Sequence, residues 1–190
     1  MTSYLVVAAT AAEAAHVPAH LPLVITGVGK VAAAAATARA LATYHDTAGD
    51  TAGDTAGLTV LNIGSAGALR PGLSGLFEPG VVLNHDLSAD LVRALGHDPQ
   101  ERLVVGDADI VLATGDVFVI DPVVRDTLAA RAHLVDMEGY AVAFAAREAG
   151  VPVRLVKHVS DAADESAMDW PSMVAASAVA LGEWLREHAV

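Results

Sequence analysis

The stretch His133–Asp164, HLVDMEGYAVAFAAREAGVPVRLVKHVSDAAD, decides how the rest of the chain is read. It places a carboxylate pair, Asp136 and Glu138, at the mouth of an alanine-rich helix expected over Met137–Ala149. Gly150 and Pro152 stop that helix. A β-branched strand follows, expected over Val153–Val159, and it runs into a second acidic group at Ser160-Asp161. Helix starts and strand ends are where α/β folds gather ligand-binding groups.

Working outward, apolar runs at Tyr4–Thr10, Leu23–Thr26, Leu58–Ile63, Gly80–Asn84, Arg102–Val105 and Asp109–Ala113 read as strands. Alanine-rich Lys30–Tyr44 and Pro122–Ala132 read as helices, and Pro171 opens a closing helix that extends to about Glu187. Strands alternating with helices predict one α/β domain over residues 1–190. Its expected architecture is three-layered, α/β/α, around a central mixed, largely parallel sheet. Strand order is not fixed by the pattern. His85–Glu101 reads as a polar loop. The Asp-Thr-Ala-Gly unit, repeated three times over 46–57, is a low-complexity surface loop, because a four-residue polar unit has no face to bury.

At 190 residues the chain is long enough to bury a substantial core. Much of its hydrophobic fraction of 54% is alanine, with only 4% aromatic residues, which favours close helix-on-sheet packing. The formal charge of −12 repels nucleic acid phosphates and anionic lipid, so neither a nucleic acid nor a membrane partner is expected. No apolar run reaches the roughly 18 residues of a membrane span. Cysteine is absent and no basic flank precedes Lys30, which together predict a cytoplasmic location.

Several turns could carry chemistry. Gly27-Val28-Gly29-Lys30 joins a strand to a helix, but Val31 stands where a P-loop needs Ser or Thr, and a dinucleotide fingerprint would need a third glycine. A tight turn explains it equally well. Asn62-Ile63-Gly64-Ser65-Ala66-Gly67 ends a strand in small residues that let a ligand approach the backbone. Phe118, in Gly115-Asp116-Val117-Phe118, can stack on a flat heterocycle or anchor the core. The carboxylates Asp136, Glu138, Asp161 and Asp164 have capping and dipole roles open to them as well. The histidines show no metal-ligand spacing, so neither a metal nor another cofactor is expected. Gly-x-Ser-x-Gly is absent, which removes the nucleophile-elbow hydrolases.

Taken in order, Gly27-Val28-Gly29-Lys30-Val31, Asn62–Gly67, Gly115–Phe118 and Met137-Glu138-Gly139 leading to Ser160-Asp161 resemble the nucleoside phosphorylase and nucleosidase superfamily. Within it, the chain looks like a 5′-methylthioadenosine/S-adenosylhomocysteine nucleosidase or a close relative. His85-Asp86 resembles a His-Asp pair of the same family. The resemblance implies a nucleoside phosphorylase-like fold and hydrolysis of the N-glycosidic bond of a purine nucleoside, releasing free base and a ribose derivative. Asp161 is then the general acid at purine N7, and Glu13 positions the attacking water. Glu138 holds the ribose hydroxyls and Met137 packs beneath the sugar. Phe118 stacks on the base, and the Val119 backbone bonds its edge. Ser65, Ala66 and Gly67 line the pocket, and Asp136 and Ser160 complete the binding set.

Phosphorylases of the superfamily carry an arginine where Asn62 stands, and residues 1–29 hold no Lys or Arg. Water is therefore expected as the nucleophile rather than phosphate. The resemblance also leaves a futalosine hydrolase, a phosphate-dependent phosphorylase and a non-catalytic nucleoside-binding protein as alternatives. It implies a homodimer.

Overall fold

The computed structural model describes residues 3–47 and 57–189. Its strands are β1 (Ser3–Ala8), β2 (Leu23–Ile25), β3 (Leu58–Ala68), β4 (Leu76–Phe77), β5 (Val81–Asn84), β6 (Arg102–Val104), β7 (Val111–Thr114), β8 (Leu134–Asp136) and β9 (Val153–Asp161). The helices are α1 (Lys30–Thr47), α2 (Ala89–Ala94), α3 (Pro122–Ala129), α4 (Gly139–Glu148) and α5 (Trp170–His188). A 3-10 turn at Glu165–Asp169 leads into α5.

The sheet is mixed and largely parallel, as expected. Parallel pairs are β1–β2, β1–β3, β3–β9, β5–β7 and β7–β8, and antiparallel pairs are β3–β8, β4–β9 and β5–β6. Alternation along the strands builds three layers. Leu5 and Val7 of β1 join Leu58 and Val60 of β3 beneath α1 and α4. Val6, Ala8, Leu61 and Ile63 face the other way, onto Leu181, Trp184 and Leu185 of α5. Further along the sheet, Leu112 and Leu134 face α4, while Ala113 and Val135 face Leu128 of α3. Buried alanines such as Ala33 on α1 and Ala141 and Ala146 on α4 keep both helices close to the sheet.

Strand β3 organises the molecule. Along one edge it pairs with β9 from Val60 to Gly67. Its opposite edge is shared: β1 pairs with Leu58–Asn62, and β8 pairs with Gly67 and Ala68. Among the described residues, Ile63–Ala66 therefore have no strand beside them on that edge, and the sheet opens into a seam there.

Several expectations are corrected. The polar loop over His85–Glu101 contains α2, whose six residues are too few to show a helical period. The quoted stretch holds a third element, β8, ahead of α4; three residues cannot display alternation, and pairing on both sides makes the strand. Strands β3 and β9 run to Ala68 and Asp161, beyond the expected Ile63 and Val159, because each lines the other through the site. Helix α1 continues past Tyr44 to Thr47. Of the proposed surface loop over 46–57, residues 48–56 lie outside the described residues.

Candidate active site

The seam in β3 is filled by a carboxyl group. Glu13 lies just beyond β1, and its Oε1 accepts hydrogen bonds from the Ser65 backbone N–H at 2.8 Å and from the Ser65 hydroxyl at 2.9 Å. Its Oε2 accepts from the Thr10 N–H at 3.2 Å and the Thr10 hydroxyl at 3.0 Å. The Glu13 N–H in turn donates to Thr10 Oγ1. Thr10-Ala11-Ala12-Glu13 thus forms the reciprocal Thr-x-x-Glu bonding of a capping box, used here to aim an acid at a strand edge. Glu13 is only 5% exposed.

A second carboxyl group ends β8. Asp136 Oδ1 accepts from the Thr114 hydroxyl at 2.6 Å, and Oδ2 accepts from the Gly139 N–H at 2.9 Å. Lys157 on β9 approaches the same Oδ2 to 2.8 Å. Burial alone pulls the Lys157 ammonium down, but Asp136, Glu138 and Glu13 outweigh it and hold the group above the ordinary lysine value. Asp136 is thereby turned into the core and anchors the end of β8, so that the next residues, Met137 and Glu138, face the cavity.

Glu138 Oε1 accepts from the Gly29 N–H at 2.8 Å. Burial, reinforced by the charge of Asp136, pushes the Glu138 carboxyl up to about 7. Gly29 reaches this position with φ of +95°, a conformation other residues adopt only under strain. On the next residue, the Lys30 N–H donates to Asp116 Oδ1 at 2.7 Å, and the Lys30 ammonium bonds Asn84 and Asp86. Asp86 also accepts from the Asp116 N–H at 2.8 Å. The glycine turn, the His-Asp pair and the segment bearing Phe118 are therefore one hydrogen-bonded unit, and none of it forms a phosphate cradle.

Asp161 closes the set from the end of β9. Its Oδ2 accepts from the Ser160 hydroxyl at 2.6 Å and its Oδ1 from the Ala163 N–H at 2.9 Å. Ala163 takes a positive φ of 49° to make that bond. Gly67 sits directly against the carboxylate: a Cβ there would lie 3.0 Å from Asp161 Oδ1 and 3.0 Å from the Ala163 Cβ.

These elements enclose a cavity of about 410 Å³. Glu13, Ser65, Ala66, Gly67, Phe118, Val119, Asp136, Met137, Glu138, Ser160 and Asp161, all chosen from the sequence, lie on its wall. Phe118 is 46% exposed at the rim, while Val119 is buried. Thr10 and Met168, which were not assigned, also line it, as does Trp170, the one candidate in the sequence for an aromatic after Ser160-Asp161. The spacing of Thr10 to Glu13 was a readable signal for the first. The Trp170 indole N–H donates to Ser65 Oγ at 2.8 Å, a contact across 105 residues that no local pattern announces. Among the described residues that line the cavity there is no Lys, Arg or His. Four carboxyl groups, those of Glu13, Asp136, Glu138 and Asp161, line a chamber whose described wall residues carry no other charge, and such a set can supply a proton to a bound base and stabilise positive charge on a bound sugar.

Comparison with known proteins places this architecture. The chain superposes on the 5′-methylthioadenosine/S-adenosylhomocysteine nucleosidase of Helicobacter pylori, solved with a pyrrolopyrimidine-bearing pyrrolidine ligand, with a TM-score of 0.79 at 20% identity, covering 98% of this chain and 97% of that one. The futalosine hydrolase structure from Helicobacter pylori gives a TM-score of 0.78 at 21% identity, with 97% and 96% covered. The Neisseria meningitidis 5′-methylthioadenosine/S-adenosylhomocysteine nucleosidase with methylthio-immucillin-A gives 0.78 at 21%, with 96% of each chain covered. No curated protein sequence matches the chain. Among the described residues, no helix is long and apolar enough to cross a membrane. The model of the phosphorylase superfamily matches residues 78–183, more than half of the chain, and that span carries β5 through most of α5 with three of the four carboxylates. With the seam, the acidic cavity and the three-layer fold already in view, the match settles the lineage: the chain belongs to the phosphorylase superfamily.

Proposed function

We propose that the chain is a purine nucleosidase that hydrolyses the N-glycosidic bond of a 5′-methylthioadenosine- or S-adenosylhomocysteine-like nucleoside. The observation that carries this reading is the convergence of Asp161, Glu138 and Glu13 on a cavity whose described wall residues include no cationic side chain. A purine anion is a poor leaving group. Asp161 passes a proton to N7 as the C1′–N9 bond breaks and its electron pair moves to the base. The ribose becomes oxocarbenium-like, and the carboxylates around it stabilise that charge. Glu138 holds the ribose hydroxyls over Met137, while Phe118 and the Val119 backbone hold the base against the wall formed by Ser65, Ala66 and Gly67. Water directed by Glu13 adds to C1′, and its proton leaves through the same carboxyl group.

Water is favoured over phosphate because a phosphate dianion would meet acids and no charge-assisted donor. Lys157 is buried and committed to Asp136, and Asn62 donates to the Val7 carbonyl at 3.1 Å. The deciding experiment measures base release from methylthioadenosine, adenosylhomocysteine, adenosine, inosine and futalosine, with and without phosphate. Phosphate-independent release is expected. Strict phosphate dependence rejects hydrolysis, and binding without turnover rejects catalysis.

The same reading makes the protein a cytoplasmic homodimer. The absence of cysteine supports the compartment. Exposed Val28, Val117, Phe118 and Met168 at the cavity rim support a partner there. Sedimentation equilibrium checks the assembly, and a monomer at all concentrations rejects it.

A further inference from the structure

Trp170 stands at the first turn of α5, partly buried, on the wall of the cavity. Its only polar atom is a donor, and that donor goes to Ser65 Oγ at 2.8 Å. Ser65 Oγ also lies 2.9 Å from Glu13 Oε1. A serine hydroxyl has one hydrogen to give, and an indole cannot accept it. With one lone pair taken by Trp170, the Ser65 hydrogen points at Glu13. The bonds therefore run in one direction, from indole N–H to hydroxyl to carboxylate.

We infer that Trp170 is a positioning residue: by holding the Ser65 hydroxyl in a single rotor state it fixes the Glu13 carboxyl group in the seam of the sheet. The inference rests on the nucleosidase reading for its effect on turnover. The relay itself does not depend on that reading. It also ties the start of α5, next to the segment Glu165–Asp169, to β3. Within that segment the Ser166 N–H and hydroxyl donate to Asp164, Asp169 accepts from the Ser172 hydroxyl, and Ala167 is buried.

Two measurements test this. In turnover of 5′-methylthioadenosine, Trp170→Phe keeps the ring and removes the N–H. It is expected to lower kcat about tenfold while KM stays within about threefold, since the interaction lost acts on the reacting groups rather than on uniform binding. In a Ser65→Ala background the same change is expected to cost less than about twofold, because the relay is already broken. A raised KM with kcat unchanged, or a full repeat of the penalty in the Ser65→Ala background, overturns the assignment.

The second measurement needs no substrate. The chain has two tryptophans, and the other, Trp184, stacks on His188 with ring centroids 4.5 Å apart. In a nitrogen–proton correlation spectrum the Trp170 indole peak is the one lost in Trp170→Phe. Ser65→Ala and Glu13→Gln are each expected to shift it upfield while the Trp184 peak stays in place. An unmoved Trp170 peak in Ser65→Ala overturns the relay. A wild-type chain that releases no base but shows the shifts refutes the nucleosidase reading and leaves the relay standing.

Discussion

The Lys157 ammonium lies 2.8 Å from Asp136 Oδ2, with both side chains 2% exposed. Strand β9 carries the lysine four residues before Asp161, and the aspartate closes β8 two residues before Glu138. The ion pair thus ties together the two strand ends that bring Asp161 and Glu138 to the cavity.

Lys157→Met removes one partner and leaves a buried carboxylate opposed only by Thr114 and Gly139. Breaking a buried pair in this way costs about 3–5 kcal/mol. Urea unfolding of the variant is expected to show a loss of that size. Adding Asp136→Asn is expected to recover most of it, because the charge left behind is then gone.

Glu138 makes stability depend on pH. Its folded value near 7 lies above the ordinary 4.5, through burial and the neighbouring Asp136. Folding therefore binds a proton more tightly than the unfolded chain does. The associated stability is fully present below about pH 4.5 and is lost as pH rises towards 7, with a slope of at most about 1.4 kcal/mol per pH unit. Urea unfolding between pH 5 and pH 8 is expected to show this fall in the wild type and to show it diminished in Glu138→Gln.

Asp161→Asn keeps the acceptor side of the group and removes the proton. Turnover of methylthioadenosine is expected to fall by at least about a hundredfold, the low end of what a positioned general acid contributes. Nucleoside affinity by calorimetry stays within about tenfold, because the sugar and base contacts persist. An active variant refutes the assignment.

Gly67→Ala tests how closely the floor of the cavity fits Asp161. The added methyl meets Asp161 Oδ1 and Ala163 Cβ at 3.0 Å and Val135 Cγ1 at 3.2 Å. Overpacking of this kind costs about 1–3 kcal/mol, and the displaced carboxylate is expected to lower kcat more than tenfold, as small misplacements of reacting groups do. Thermal unfolding and steady-state kinetics measure the two effects.

The parts of the fold legible in sequence were those with length. The alanine-rich helices and apolar strands lead directly to a three-layer α/β fold, and the resemblance of the ordered motifs to the nucleosidases leads to eleven residues on one cavity wall. What stayed hidden was short or distant. Strand β8 has three residues and α2 six, too few for a period to register. The branch in β3 follows from which strands stop at Asn62 and which begin at Gly67, and nothing in Leu58–Ala68 itself encodes that. Glu13 could be placed in the site only by resemblance. Its bonding to Ser65 spans 52 residues, whereas its partner Thr10 was only three residues away.

Many enzymes hold their reactive groups at a cost to the scaffold, so that deleting one makes the protein sturdier. The gap in β3 reverses that bargain. Glu13 serves as the missing tooth of a zipper, taking the amide that a neighbouring strand would otherwise have satisfied. Under the proposed reaction, erasing it would unfasten the edge as well as the chemistry, so mutational drift at this position would forfeit robustness and catalysis in a single step.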